Sequence, residues 1–395
     1  MSRRPIKAAL LQVHSILGLT ISLVLALIGV TGAVMSFEDE IGAVLNADLL
    51  QVEARSMPML SPDALVARLQ ASGEAARVSA VTMTSDPQGS VRVRLIREDS
   101  GARPSALYVD PYDGRVLGAP VGEDFFATVR KLHRWLLIPG DGKGWGRQIT
   151  GVVAIGLVAM LISGLVLRWP RHVRSIKAWL KPNWAMRRRG FQWSLHSVAG
   201  TWVMLIYLLM ALTGLWWSFD WYKDGATWLF SSRHVAAAPV AAKPPRMPRA
   251  SAADAGPLII ERAWQAFLTE QSSRYATAQL TMPNNGGTVI RIRSVPRDSA
   301  REGQRDEFRI DAVTGRIASA EIYADKAFGD KVLASVLDIH SGAVLGWPGR
   351  LLFMLAASLM PLFAVTGFLL YLSRRKQRPA KRTSAESAGT LVAGE

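Results

Sequence analysis

The 395-residue sequence has no cysteine. Disulfides, iron–sulfur clusters, thiolate zinc sites and haem attached through a Cys-x-x-Cys-His motif are therefore excluded. Any domain outside the cytoplasm must fold without the usual covalent staple of secreted domains. A nicotinamide or flavin fingerprint is also missing: the glycine-rich run Gly140–Gly146 follows no strand pattern, so it is a poor nucleotide loop. No Ser/His/Asp arrangement suggests a hydrolase. Histidine is scarce, with six in all, and acidic residues are almost absent where basic ones crowd.

What is present is long apolar sequence. Four stretches, residues 15–37, 149–169, 194–219 and 351–373, reach or pass the roughly 20 residues a helix needs to cross about 30 Å of hydrocarbon. Ile21–Val34 and Val203–Leu215 carry no charge at all. The first stretch follows Arg3, Arg4 and Lys7 but is too long for a cleaved signal and has no small-residue cleavage site after it, so it reads as a retained anchor. Of 47 basic and 31 acidic residues, 17 and two fall in residues 1–13, 168–190 and 374–395, leaving a near-balanced 30 and 29 elsewhere. Four spans put those three segments on one side, and basic residues near span ends stay in the cytoplasm. The expected layout is a cytoplasmic start and first span (1–37), an external domain (38–147), a second span (148–169) and a basic cytoplasmic loop (170–193). A third span (194–219), a second external domain (220–348), a fourth span (349–373) and a basic cytoplasmic tail (374–395) follow. The basic blocks serve orientation and contact with anionic lipid rather than nucleic acid.

The chain reads as a duplication. A shift of 182 sets His14-Ser15 on His196-Ser197, Gly18 on Gly200, Thr31-Gly32 on Thr213-Gly214, and Ser36-Phe37 on Ser218-Phe219. A shift of 203 sets Ser163-Gly164 on Thr366-Gly367, and Asp110–Arg115 is echoed by Asp311–Arg316. Two halves, each span–external domain–span from the same side, imply a parallel repeat with a pseudo-two-fold axis along the membrane normal. The fold class is thus membrane α-helical with two small external α+β domains. In the first domain, Ser61-Pro62-Asp63 opens a helix, and alternating strands are expected near 78–85, 90–97 and 104–109. In the second, a helix is expected near 257–270 and strands near 275–282, 288–294 and 306–311. The Ala/Pro-rich residues 235–256 read as a tether.

The histidines carry the functional signal. His14 and His196 open spans one and three, and His133 and His340 close amphipathic stretches just before spans two and four. The axis would set each pair face to face at one depth. Two identical ligands across a symmetric gap suit a planar cofactor, a non-covalent b-type haem with bis-histidine ligation. Two haems per chain, His14/His196 on the cytoplasmic side and His133/His340 on the external side, would form a path across the membrane. Gly18 and Gly200, four residues after their histidines, lie on the ligand's face and leave porphyrin clearance. Gly32 and Gly214, five turns on, share that face, roughly 27 Å away. Arg147 and Arg350 suit haem propionates or lipid headgroups equally well. A lone histidine at a helix end is commonly an interfacial or capping residue, but four in matched pairs in a membrane, where ionisable groups are costly, point to a site. A bare metal ion is the alternative reading, because imidazole suits copper, zinc and iron. His172 and His234 have no repeat partner and read as surface residues. Trp216, Trp217, Trp221 and Trp228 read as an interfacial belt.

With His14–Gly18 opening a span that ends Thr31-Gly32…Ser36-Phe37, the turn Asp110–Gly118, and the span exit Leu167–Arg171, the sequence resembles the PepSY-associated transmembrane family over about residues 8–375. That family includes bacterial iron-regulated inner-membrane proteins and ferric-siderophore reductases of the ferrioxamine-reductase type. The resemblance implies a di-haem oxidoreductase of the inner membrane, with both termini cytoplasmic, that passes electrons from a cytoplasmic donor or quinol to a periplasmic ferric chelate. It carries the ligands onto His14, His196, His133 and His340. Two rivals from other classes are a non-redox binding or regulatory protein for an envelope peptidase or partner, and a transporter subunit.

Overall fold

The computed structural model describes residues 3–72, 76–96, 105–140, 142–170, 172–231, 259–271, 274–283, 287–299, 301 and 303–376. In chain order these form α1 (Arg3–Met35), α2 (Pro62–Ala71), β1 (Arg77–Thr84), β2 (Val91–Ile96), β3 (Ser105–Val109) and β4 (Val116–Gly118). Then come α3 (Glu123–Trp135), α4 (Trp145–Arg168), α5 (Arg189–Ser218) and α6 (Ile260–Gln271). The chain continues through β5 (Tyr275–Thr281), β6 (Val289–Pro296), β7 (Asp306–Asp311) and β8 (Ile317–Glu321), and then α7 (Val336–Ser341), α8 (Gly346–Ser358) and α9 (Met360–Lys376). Short helices at Glu38–Leu45, Ala47–Leu50, Ile176–Leu180, Asp220–Phe230 and Phe328–Ala334 make connections. Residues 235–256, read as a tether, and His234 lie outside the described residues.

The chain divides into two units. The first holds four helical segments long and apolar enough to cross a membrane: Pro5–Met35, Trp145–Arg168, Arg189–Ser218 and Ala343–Arg375. Each begins before the apolar stretch expected for it, and the fourth also ends beyond it. They close into a four-membered ring in which α1 packs on α4 and α9, and α5 packs on the same two. Leu25, Leu157, Tyr207, Ala356 and Met360 fill its core. Small residues allow the close crossings that membrane helices favour. A Cβ on Gly29 would stand 2.6 Å from the Ala357 carbonyl oxygen. The fourth segment breaks at Leu359, between α8 and α9. Pro361 has no N–H for the carbonyl four residues back, and the Tyr207 hydroxyl donates to the neighbouring Ala356 carbonyl at 2.6 Å.

The second unit is one eight-stranded antiparallel sheet in the order β4-β3-β2-β1-β5-β6-β7-β8. The expected strands and helices are present, but the expectation of two separate α+β domains is corrected. β1 pairs with β5, Val81 opposite Leu280 and Thr82 opposite Gln279, so the two meanders share one sheet. Each also gains a short fourth strand after its turn. α2 and α6 cover the core, where Leu65, Leu69 and Phe267 meet Val81, Val91, Leu280 and Ile292. Ser61 caps α2 by accepting the Ala64 N–H at 3.4 Å, with Pro62 in the first turn. The matching turns end on Gly114 (φ 75°) and Gly315 (φ 74°), left-handed positions that favour glycine. Asp110 and Asp311 hold these turns through their side chains, which accept the Tyr112 N–H at 2.8 Å and the Thr314 N–H at 2.9 Å. Burial alone would raise the Asp311 carboxyl, but the Thr314 N–H, the Thr288 and Thr314 hydroxyls and the Val313 N–H hold it below its ordinary value.

Candidate functional site

The four repeat-matched histidines stand in two facing pairs inside the helical unit. The ring centres of His14 and His196 are 6.4 Å apart with planes at 80°. Those of His133 and His340 are also 6.4 Å apart, at 77°. α1 and α5 supply the first pair, and α3 and α7 supply the second. His133 is followed by Leu136 (φ 55°) and Leu137 (φ 57°), two non-glycine residues in left-handed conformation that end its helix sharply. His340 is followed by Gly342 (φ 78°), which does the same without strain.

The spacing tests the fit of a metal between the rings. Taking a metal–imidazole bond of about 2 Å and roughly 1.1 Å from nitrogen to ring centre, two trans imidazoles place their centres roughly 6.2 Å apart. Both pairs match that span. Among the described residues no group of three or more His, Asp and Glu side chains gathers to hold an ion.

A cavity runs beside His14 and His196, with about 1310 Å³ of unfilled space including its mouth. Gly18 and Gly200 line it. An added Cβ there would meet only Met160 Cε at 3.6 Å and Phe363 Cε1 at 3.7 Å, ordinary van der Waals contacts. Two cations, Arg168 and Arg374, also line the cavity. Arg168 bonds the Ala178 carbonyl and lies 5.6 Å from the Trp193 ring centre, yet its buried Nε has no hydrogen-bond partner among the described residues. Arg374 Nη1 donates to Ser15 Oγ at 3.1 Å.

Other expected residues lie elsewhere. Arg147 donates to the Trp217 carbonyl at 2.8 Å and pairs with Asp220 at 2.6 Å. Arg350 donates twice to the Ser36 carbonyl, at 3.1 and 2.7 Å. Both arginines thus sit at the carbonyl ends of α5 and α1, where cations are favoured. Gly32 and Gly214 do not face the His14/His196 cavity. They seat the other pair, with added Cβ positions 3.1 Å from His133 Cε1 and 3.7 Å from His340 Cε1. Trp217 meets His340 edge-on at 5.5 Å and Phe363 meets His196 likewise at 5.4 Å. His172 is exposed.

Sequence reasoning missed the hydroxyls. Every one of the four rings meets one through Nδ1: His14 with Ser163 at 2.9 Å, His196 with Thr366 at 2.7 Å, His133 with Thr31 at 3.1 Å and His340 with Thr213 at 2.8 Å. The signal was the aligned Ser/Thr-Gly dipeptides, visible as letters but not as histidine partners.

A ring of four membrane-spanning helices with paired histidines, joined in sequence to an antiparallel α+β sheet, defines a class of polytopic membrane protein. Residues 11–374 match the model of the PepSY-associated TM region, and the chain belongs to that family. No curated protein matches the sequence.

Proposed function

We propose that the protein is a b-type haem electron-transfer protein of the bacterial inner membrane that reduces a ferric chelate, a ferric siderophore, in the periplasm. The reading rests on one observation above all: two histidine pairs, each with ring centres 6.4 Å apart, the span of a bis-imidazole metal. Haem bound in each gap supplies a reversible one-electron couple. His14 and His196 hold one iron and His133 and His340 the other, at levels roughly 27 Å apart along α1 and α5. Arg168 and Arg374 offer positive charge to the cofactor's carboxylates at the cavity beside the first pair. The apolar helices exclude water, so the chain's own residues need only hold the metals and keep the path dry. The halves relate as a parallel pseudo-two-fold repeat, with the basic segments and both termini cytoplasmic. The donor is then a cytoplasmic reductant or a quinol. A ferric chelate is a fitting acceptor because hard oxygen donors bind Fe(III) far better than Fe(II), so one electron loosens it without acid–base help.

The visible spectrum of the detergent-purified full chain, before and after dithionite, tests this. Two haems per chain with sharp low-spin bands on reduction are expected, and His340→Ala should lose about half the haem and stop chelate reduction. A protein that stays colourless when made with ample haem would sink the proposal in favour of a non-redox binding protein. Substrate flux into vesicles without reductant would favour a transporter subunit.

A further inference from the structure

We propose that Ser163, Thr366, Thr31 and Thr213, with Gly164 and Gly32 at the two tighter rings, are positioning residues. Each hydroxyl fixes one histidine in the tautomer and orientation that present Nε2 to the iron, and thereby sets that iron's potential. The inference rests on the haem reading above and goes beyond it, because it assigns residues that neither the motif nor the ligands themselves identify.

A proton count gives the direction of each hydroxyl–imidazole bond. A serine or threonine hydroxyl has one proton to give. All four are spent on the carbonyl one helical turn back: Ser163 to Ala159 at 2.8 Å, Thr366 to Leu362 at 2.6 Å, Thr31 to Leu27 at 2.7 Å and Thr213 to Leu209 at 2.7 Å. Toward the imidazole each hydroxyl is therefore an acceptor. The ring's proton sits on Nδ1, and Nε2 is left bare for a metal. His133 gives the same answer independently, because its Nδ1 also meets the Ile28 carbonyl at 2.9 Å, a group that can only accept.

The glycine completes the grip. In each case the residue after the hydroxyl is glycine, and at Gly32 and Gly164 its missing Cβ lets the ring edge come down onto the helix. Added Cβ atoms would lie 3.1 Å from Cε1 of His133, 3.3 Å from that of His14, 3.6 Å from that of His196 and 3.7 Å from that of His340. The hydroxyl holds Nδ1, the glycine receives Cε1, and Nε2 is the next atom round the ring. The carbonyl–hydroxyl–imidazole chain also polarises the Nδ1–H bond. That makes the ligand more basic and favours the ferric state, as outer-shell acceptors do at metal-bound histidine. Satisfied helix hydroxyls alone would not put one at each of the four Nδ1 atoms with glycine after each.

The test uses the full chain, purified with haem, carrying Thr213→Val or Thr366→Val, which keep the side-chain shape and remove the acceptor. Two readouts apart from turnover report the positioning: the two midpoint potentials by spectroelectrochemical titration, and the low-spin ferric EPR signal, which senses the angle between imidazole planes. Thr213→Val should move one midpoint positive and shift one EPR signal while leaving the other haem unchanged, or lose that haem alone. Thr213→Ser should restore both. Full haem content with unmoved midpoints and EPR in both valine variants overturns the inference and leaves the haem reading standing. A wild-type chain that binds no haem overturns both.

Discussion

At the scale of single residues the two halves differ in tightness, and this yields a prediction. Gly32 and Gly164 in the first half leave 3.1 and 3.3 Å between an added Cβ and the ring they seat, whereas Gly214 and Gly367 leave 3.7 and 3.6 Å. The first two distances force a ring to shift by a few tenths of an ångström, and the last two are ordinary contact. Gly32→Ala should therefore perturb the EPR signal of the His133/His340 haem or reduce its occupancy. Gly214→Ala should leave both unchanged while gaining up to about 1 kcal/mol of helix propensity. Equal sensitivity of the two variants would show that the glycines do not limit the ring seats. The histidines themselves were legible in the sequence because each occupies a matching place in the two similar halves and because imidazoles are rare in apolar spans. Their hydroxyl partners were not, although Thr31-Gly32 and Ser163-Gly164 align plainly with their counterparts. A contact between His14 and Ser163 depends on which faces of α1 and α4 meet, and local sequence does not encode that. Arg147 and Arg350 show the same limit: their repeat-equivalence is readable, and the carbonyls of Trp217 and Ser36 are not.

At the scale of elements, strand pattern and turn chemistry placed six strands and two helices within a few residues. The alternation in Val91–Ile96 and the Asp113-Gly114 turn are local signals that survive in the fold. What sequence could not give was the partner of β1. Each meander reads as complete, with β1 and β5 as edges, and an exposed edge is a liability that a fold must cover. Here each covers the other. Ser85 donates to the Ala276 carbonyl at 3.0 Å and Met282 to the Ser79 carbonyl at 2.9 Å, so the even-numbered residues of β5 turn their backbone toward β1. Hydrogen–deuterium exchange on the full chain checks the seam. The amides of Ala278 and Leu280 should exchange as slowly as those of β6, because β5 is a central strand bonded on both sides. Fast exchange at these two positions, with slow exchange at Thr277 and Gln279, would return β5 to an edge and separate the meanders.

At the scale of the whole molecule, the contacts sort by which half of the chain they join. Each hydroxyl–histidine bond stays within a half, as His14 with Ser163 and His340 with Thr213. Each facing histidine pair takes one ring from either half. The arginine bonds also cross, Arg147 to Trp217 and Arg350 to Ser36. A cofactor in the His133/His340 gap, as proposed above, would do the same structural work as the arginines, tying the ends of the halves where α1 and α5 finish. Binding a ligand only to the folded state stabilises it by mass action. Arg350→Gln alone should cost about 1.5–3 kcal/mol, the range for a hydrogen bond to a charged group. His340→Ala should lower the unfolding temperature through loss of the haem proposed between His133 and His340. Sharing one joint, the two changes should combine to cost more than their sum, by about 0.5–3 kcal/mol, as interacting sites do. Unfolding midpoints of the four proteins in one detergent, at one scan rate and with haem content measured alongside, decide it. Strict additivity would mean that helix packing holds the halves together by itself and that the arginines only neutralise helix ends.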